Sequence, residues 1–341
     1  MSAASINPTI SGFSERKFKT VRFYTTKYVL NLTRALSQTL LRELKILTTD
    51  IVCDTPLTFE TVQRNRAAPT ELLFILIPQL LVTDSSALPD PGKYCIYQLE
   101  QLNDKNVTNS SSTDNETLIK TQFNPTFMDL LQNSATAFDY SSVNLNYYPA
   151  SVRSKVAVLP PPVYVMPAAA PVVNCNAPCN SDILFYGSLN PRRERILTQL
   201  TQALIRRGYT SYNIRVVSRL FGEELLQYVA RARIVLNIHF YANSILETDR
   251  MHTALQFNNV TVISEYPTQR DALLPAYEAN PRILFCEEIC DNVDELTETC
   301  IKVLLSVDEA LKHDKQATNN ANTRHLNELC AAELKRYLII Q

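Results

Sequence analysis

Glycine is scarce in this chain. Five occur among 341 residues: Gly12, Gly92, Gly187, Gly208 and Gly222. Neither G-x-G-x-x-G nor the Walker-type G-x-x-x-x-G-K-[ST] can be written from them, which removes standard dinucleotide oxidoreductases and P-loop NTPases. The scarcity also gives weight to Gly187, which stands where an apolar run ends and a helical pattern begins. Long apolar runs are missing as well: no stretch of about 18 residues is apolar enough to span a bilayer. The opening segment MSAASINPTISGFSERKFK lacks the apolar centre of a secretory signal, so a cytoplasmic location is expected. Excess charge of one sign is absent too. Thirty-three Lys and Arg against 34 Asp and Glu leave a formal net charge of −1, with no global basic field to favour nucleic acid or anionic membrane.

Cysteine is present, at Cys53, Cys95, Cys175, Cys179, Cys286, Cys290, Cys300 and Cys330. The Cys175–Cys179 and Cys286–Cys290 spacings invite a zinc reading. The four histidines complete no recognisable finger, however, so buried or incidental thiols are expected and no metal site. Asn106, Asn109 and Asn115 head glycosylation sequons that, without secretion, read as polar loop residues.

The apolar segments alternate as strands and helices in both halves. In the first half, Thr20–Thr25, Asp50–Cys53, Tyr94–Leu99, Thr136–Tyr140 and Val156–Leu159 read as strands; Leu72–Leu81 is an apolar run ending near Pro78. Val29–Leu44 and Thr126–Gln132 read as helices, and residues 103–120, rich in Asn, Ser, Thr and Asp, as an exposed insertion. A proline-rich linker over 166–181 separates a first domain, 1–165, from a second, 182–341. In the second half, strands are expected at Ile183–Tyr186, Ile214–Val217, Ile234–Phe240, Val260–Ser264 and Arg282–Phe285. Helices are expected at Pro191–Arg207, near Gly222–Arg233, at Ile245–Phe257, Val293–Lys312 and Thr323–Ile339. Such alternation implies an α/β fold of two Rossmann-like domains facing a cleft, each a parallel sheet flanked by helices, with ligands beyond the carboxyl ends of strands.

The segment Ser181–Thr201, SDILFYGSLNPRRERILTQLT, concentrates the chemistry. A buried strand ends in a Gly187–Ser188 turn, Asn190 suits an N-cap, and Pro191 suits the first helical position. Ile196, Leu197, Leu200 and Leu204 then fall on one face. Arg192 and Arg193 occupy the first turn, where the helix dipole is already positive, so two cations there cost stability unless an anion offsets them. With the free backbone amides they form a candidate phosphate site; two solvated arginines are the plainer reading.

Two further strand ends belong with it. In IVLNIHFYANSILETDRM (234–251), Asn237 and His239 point to one face by period two, and His239 is read either as a phosphate or sugar donor or as a structural group. Ser244 to Glu247 matches a capping box, and Glu247 and Arg250 share a helical face. Glu265 closes the third strand end, where a carboxylate can accept from a ribose diol.

DILFYGSLNPRRERIL, FGEELLQYVARARIVLNIHFY, LETDRMHTAL and VTVISE together resemble the nucleotide-sugar domain of GT-B glycosyltransferases, with the CgeB-like enzymes of bacteria and large DNA viruses the nearest likeness. The likeness covers residues 182–266 well and extends weakly to YCIYQLEQL and AFDYSSVNL. It implies a metal-independent Leloir transferase, hexosyl or pentosyl, without a cofactor beyond its nucleoside diphosphate sugar donor, and with a glycan, protein or small-molecule acceptor and no nucleic acid. The resemblance places Gly187, Ser188, Arg192 and Arg193 at the diphosphate, and Glu247, Arg250 and Glu265 at the sugar or ribose. It places the acceptor on the N-terminal domain, with the last helix crossing back to it. The chain departs from the family at Thr253, at Asn258–Asn259 and at Thr25–Thr26–Lys27, where a glutamate, a small residue or glycine, and a glycine-rich turn are usual.

For an inverting reaction the base candidates are Glu100, on one strand face with Gln98, and Asp139 near a strand end; a retaining reaction needs neither. Two alternatives stand beside the transferase: a catalytically inactive GT-B-like binding protein, and a sugar-nucleotide epimerase.

Overall fold

A computed structural model describes residues 18–53, 70–76, 89–102, 125–165, 181–270, 275–287, 289, 292–306 and 310–338. The insertion expected at 103–120 and the linker expected at 166–181, except Ser181, lie outside the described residues. The chain divides into two compact units. The first spans Met1–Thr33, Thr39–Pro160 and Leu329–Gln341; the second spans Arg34–Gln38 and Pro161–Glu328.

In the first unit the elements run β1 (Thr20–Thr25), α1 (Leu30–Glu43), β2 (Thr48–Cys53), β3 (Glu71–Leu76), β4 (Tyr94–Gln98), α2 (Pro125–Asn133), β5 (Thr136–Asp139), α3 (Ala150–Arg153) and β6 (Val156–Val158). All pairings are parallel, in the order β2-β1-β3-β4-β5-β6. The apolar run at Leu72 becomes β3, ELLFIL, buried throughout because a parallel strand is covered on both faces. Its one charged residue, Glu71, accepts an ion pair from Arg22 at 3.0 Å.

The second unit continues with β7 (Ser181–Tyr186), α4 (Pro191–Arg206), β8 (Ile214–Val217), α5 (Gly222–Ala230), β9 (Ala232–Asn237), α6 (Thr248–Leu255), β10 (Thr261–Glu265), α7 (Pro275–Glu278), β11 (Ile283–Cys286) and α8 (Asp294–Leu305). The last helix, α9 (Ala310–Tyr337), begins in the second unit and has its final turns, from Leu329, in the first. The second sheet is also wholly parallel, ordered β11-β10-β9-β7-β8. Period two divides its core: Ile183 and Phe185 pack with Ile196, Leu200 and Leu204 of α4, while Leu184 and Tyr186 pack with α5 and α6.

Counted from its own first strand, each sheet contains the order 2-1-3-4-5, the first having a sixth strand added. In that order the chain reverses its direction of travel between the first and third strands, and the crevice there is where doubly wound sheets bind ligands. These switch points lie at β1/β3 in the first unit and β7/β9 in the second.

Five boundaries differ from the sequence reading by three residues or more; β9 ends at Asn237 rather than Phe240, leaving His239 beyond the strand. Helix α5 stops at Ala230, so Ala232 and Arg233 belong to β9. Helix α6 starts at Thr248, not Ile245, for a reason found in the site below. Helix α8 ends at Leu305, and α9 starts at Ala310 rather than Thr323. The last two differences share a cause: α9 lacks a consistent apolar stripe in TNNANTRHLNEL, so composition hides its first half.

Candidate functional site

The site grows from the end of β7. Gly187 has φ +133°, a conformation side chains rarely adopt, and a Cβ built there falls 2.8 Å from Arg250 Nη2. Glycine is therefore required twice, for its backbone and for its missing side chain. Its N–H donates to Val217 O on β8, which fixes the turn. As expected, Asn190 caps α4, its Oδ1 accepting from Arg193 N at 2.9 Å, with Pro191 in the first turn. The Asn190 amide also donates to Phe240 O at 2.7 Å, tying the helix start to the loop after β9.

The anion demanded by the α4 first turn lies within the chain. Arg192 donates through both terminal nitrogens to Glu265, and through Nη1 to His239 O at 2.7 Å. Arg193 is buried, 2% exposed, rather than solvated. It donates to Ile238 O at 3.0 Å, to Ser188 O at 2.8 Å, and to both oxygens of Glu247 at 2.9 and 2.6 Å. Its guanidinium lies over the rings of Phe185 and Phe240, 5.4 and 5.1 Å from their centres. Burial brings Arg193 down to about 10, against the opposing pull of Glu247.

Glu247 does not form the capping box expected with Ser244. It is the N-cap residue by position but makes no side-chain cap; its carboxylate instead accepts from Arg193, from Arg250 and from the N–H of Phe240. Charge-assisted bonds to two guanidiniums outweigh one neutral capping bond, so residues 245–247 stay out of the helix. Ser244 Oγ turns back to Tyr241 O at 2.7 Å. Burial pushes the Glu247 carboxyl up, but Arg250 and Arg193 prevail and hold it at about 2. Glu265, at the end of β10, accepts from Arg192 and from the N–H of His239.

Arg250 completes the group. Nε donates to Tyr186 O at 2.8 Å; Nη1 donates to Asn237 Oδ1 at 2.7 Å and Glu247 Oε2 at 3.0 Å. Nη2, the nitrogen over the bare Gly187, makes no hydrogen bond among the described residues. His239 is 2% exposed and its ring Nε2 likewise lacks a partner there. Desolvation keeps the His239 imidazole below its ordinary range, against the pull of Glu247 and Glu265. Three arginines and two glutamates thus meet at the β7/β9 switch point, with Asp249 a third carboxyl beside Arg250.

All eight residues expected around the donor, Gly187, Ser188, Arg192, Arg193, His239, Glu247, Arg250 and Glu265, thus fall at adjoining strand ends of the second sheet. Glu100 and Asp139 belong to the first unit. Glu100 does not share a strand face with Gln98: β4 ends at Gln98, whose buried side chain accepts from the N–H groups of Leu99 and Glu100 and so turns the chain. Asp139 ends β5 with no exposed surface and accepts from Ser141 N, Asn144 Nδ2 and Tyr148 Oη, all at 2.9 Å. Burial lifts its carboxyl to about 7, against those hydrogen bonds. This is the geometry of a structural hub, with every neighbour donating to it.

Sequence reasoning missed Asp249, whose carboxyl burial lifts to about 6 beside Arg250. Its place in ETDR, between two singled-out residues, was the available signal. It also missed the aromatic walls Phe185 and Phe240; an aromatic at a strand end gives no hint that a cation lies across it. Among the described residues no group of histidine, cysteine, aspartate and glutamate could hold a metal ion, and no helix is long and apolar enough to cross a membrane.

No protein-family description and no curated protein matches the sequence. Solved structures do. The chain is similar to an α-glucosyltransferase in complex with UDP and a 13-mer DNA containing an HMU base, at TM-score 0.54 and 9% identity, over 94% of this chain and 100% of that one. It is also similar to HepE of Anabaena in complex with UDP and glucose (TM-score 0.46, 11% identity, 93% and 100% covered). A third likeness is to a glycosyltransferase from Rickettsia africae (TM-score 0.48, 11% identity, 95% and 98% covered). At 9% identity the likeness to the first is one of fold alone, an α/β fold with two parallel sheets flanked by helices.

Proposed function

We propose that the protein is a glycosyltransferase that moves a sugar from a nucleoside diphosphate sugar to an acceptor hydroxyl without a metal ion. The observation that carries this reading is Arg250 Nη2, a guanidinium nitrogen without a hydrogen bond among the described residues, held close over Gly187, whose missing side chain permits the approach. The other guanidinium contacts serve to hold that nitrogen. Glu247 and Asn237 grip Nη1, Tyr186 O grips Nε, and Arg193 fixes Glu247 in turn. Such a cation is preorganised: it need not reorient as charge develops on a departing diphosphate, and burial strengthens its field. In this reading the diphosphate lies against Gly187, Ser188 and Arg250, with Arg192, Arg193 and His239 behind it. Glu247 and Glu265 set the floor on which sugar and ribose are oriented. The UDP carried by the α-glucosyltransferase of like fold supports a nucleotide-sugar donor. An interdomain reaction site, a hydroxyl-bearing glycan, protein or small molecule as acceptor, and kinship with the CgeB-like enzymes are further parts of the proposal, resting on the sequence resemblance.

A second reading, a binding protein that has lost transfer, is favoured by Thr253. It stands where relatives carry a glutamate, and it is buried at 2% exposure with a hydrogen bond to Tyr186. Thermal melting with UDP, GDP, TDP and CMP and with their sugars tests the donor site, since a ligand of the native state raises Tm by mass action. A shift with one nucleotide family is expected; no shift at millimolar concentration with any of them contradicts the proposal. Release of nucleotide from the bound sugar donor then separates the transferase from the binding protein.

A further inference from the structure

His239, like Arg250 Nη2, has chemistry that holding the other residues in place does not account for. Its backbone is fully engaged: the N–H donates to Glu265 and the carbonyl accepts from Arg192 Nη1 at 2.7 Å. Its ring is not. Nδ1 lies 4.0 Å from Glu265 Oε2, beyond hydrogen-bond distance, and Nε2 is buried without a partner among the described residues. A buried polar atom left unsatisfied costs about 1–3 kcal/mol, and one set among three guanidiniums and two carboxylates points to a group that arrives later.

The charged and titratable groups that face the ring come from every element around it. They are Arg192 on α4, Glu247 before α6, Arg250 on α6, and Glu265 on β10. With the site empty, desolvation keeps the imidazole neutral. A diphosphate adds two negative charges beside it and supplies an oxygen that can accept from Nε2, and both favour the imidazolium.

We infer that His239 is a proton-coupled sensor of the diphosphate: filling the site draws one proton from solvent onto the ring, and the resulting Nε2–H donates to a phosphate oxygen. This rests on the donor-site reading above and adds to it a linkage between occupancy and pH. The sign follows from the two states. His239 is neutral near pH 7 in the empty site and gains a proton in the filled one, so donor affinity rises as pH falls between the two titration points, approaching tenfold per pH unit.

UDP-glucose is a suitable probe, because both phosphates of a diphosphate-sugar stay singly charged through this range and any proton taken up belongs to the protein. GDP-mannose and dTDP-glucose extend the probe set. Titration calorimetry of the full chain with each, at pH 7 in buffers of different ionisation enthalpy, reads the protons exchanged. Net uptake on binding is expected in the wild type and its loss in His239→Gln, whose amide still donates but does not titrate. His239→Asn serves if the glutamine variant melts early, and the side-chain NMR titration of His239 with and without ligand reads the same event in the unaltered chain. Asp249 is the other group near titration, so Asp249→Asn is expected to retain the uptake. Binding without proton uptake, or uptake that persists in the histidine variants or vanishes in Asp249→Asn, overturns the role of His239 while leaving the donor site standing. Binding of none of the three sugars overturns both.

Discussion

The two sheets share a strand order and differ in what stands at the place where that order reverses. In the second unit the β7/β9 switch point holds a positive-φ glycine, three arginines and two glutamates. In the first, the chain leaves β1 through Thr25 and Thr26, both buried, and the Thr25 hydroxyl meets that of Thr33 on α1 at 2.8 Å, with Thr33 also donating to Val29 O. That closure is neutral and made by short side chains. The first unit keeps its buried carboxylates elsewhere, at Glu71, which pairs with Arg22, and at Asp139, which pins the segment after β5 through Asn144 and Tyr148. Topology places a switch point in both sheets; the residues decide that one carries a charged group and the other a neutral threonine pair.

The contrast can be broken from the charged side with the largest effect. Arg193→Ala removes a buried guanidinium that is one of two holding the half-buried Glu247 and is expected to destabilise the chain by about 3–5 kcal/mol, measured by urea unfolding. The sequence alone suggests a surface arginine whose removal costs little; a loss under about 1 kcal/mol would return Arg193 to that status. Gly187→Val comes next. The left-handed-side backbone and the 2.8 Å approach to Arg250 are expected to cost about 1–3 kcal/mol and to weaken UDP binding at least tenfold, read by calorimetry.

Acidity separates the units without mutation. Glu247 has its folded value, about 2, below the ordinary carboxylate range, so it contributes stability above that range and loses it as pH falls towards 2. Asp139 is opposite in sign. Its folded value, about 7, lies above the unfolded one, so its contribution is full at low pH and is lost as pH rises from about 4 to 7. Unfolding followed against pH is expected to show the acid-side loss disappear in Glu247→Gln and the loss between pH 4 and 7 disappear in Asp139→Asn; interchanged effects would contradict the assignment. The smallest change is Thr33→Val. It removes the buried threonine pair for about 1 kcal/mol and is expected to leave nucleotide binding untouched.

Much of this architecture was legible in the sequence, and the reasons differ by element. Strands β7 and β9 were readable because buried parallel strands are near-continuous apolar runs, and α4 because Asn190, Pro191 and the Ile196–Leu204 stripe state its start and its face. The start of α6 was not, since Ser244 to Glu247 is locally a sound capping box. Only the guanidiniums of Arg193 and Arg250, one of them 54 positions away, draw Glu247 off it. For the same reason the site residues could be named but not their partners. PRRER looks like a solvated helix start, and nothing local says that Arg192 meets Glu265 at the end of β10 and Arg193 meets Glu247 before α6. The strand face assigned to Glu100 was wrong by two residues: the strand stops at Gln98, so the alternation used to place it had already ended.

The central claim is that Arg250 Nη2, over Gly187, is the anchor of a donor diphosphate. A crystal structure of the protein with UDP tests it directly. A phosphate oxygen is expected about 3 Å from that nitrogen, at hydrogen-bond distance, with the contacts of Nε and Nη1 unchanged. UDP bound elsewhere on the chain, or bound at the strand ends with Nη2 still unpaired, would contradict it.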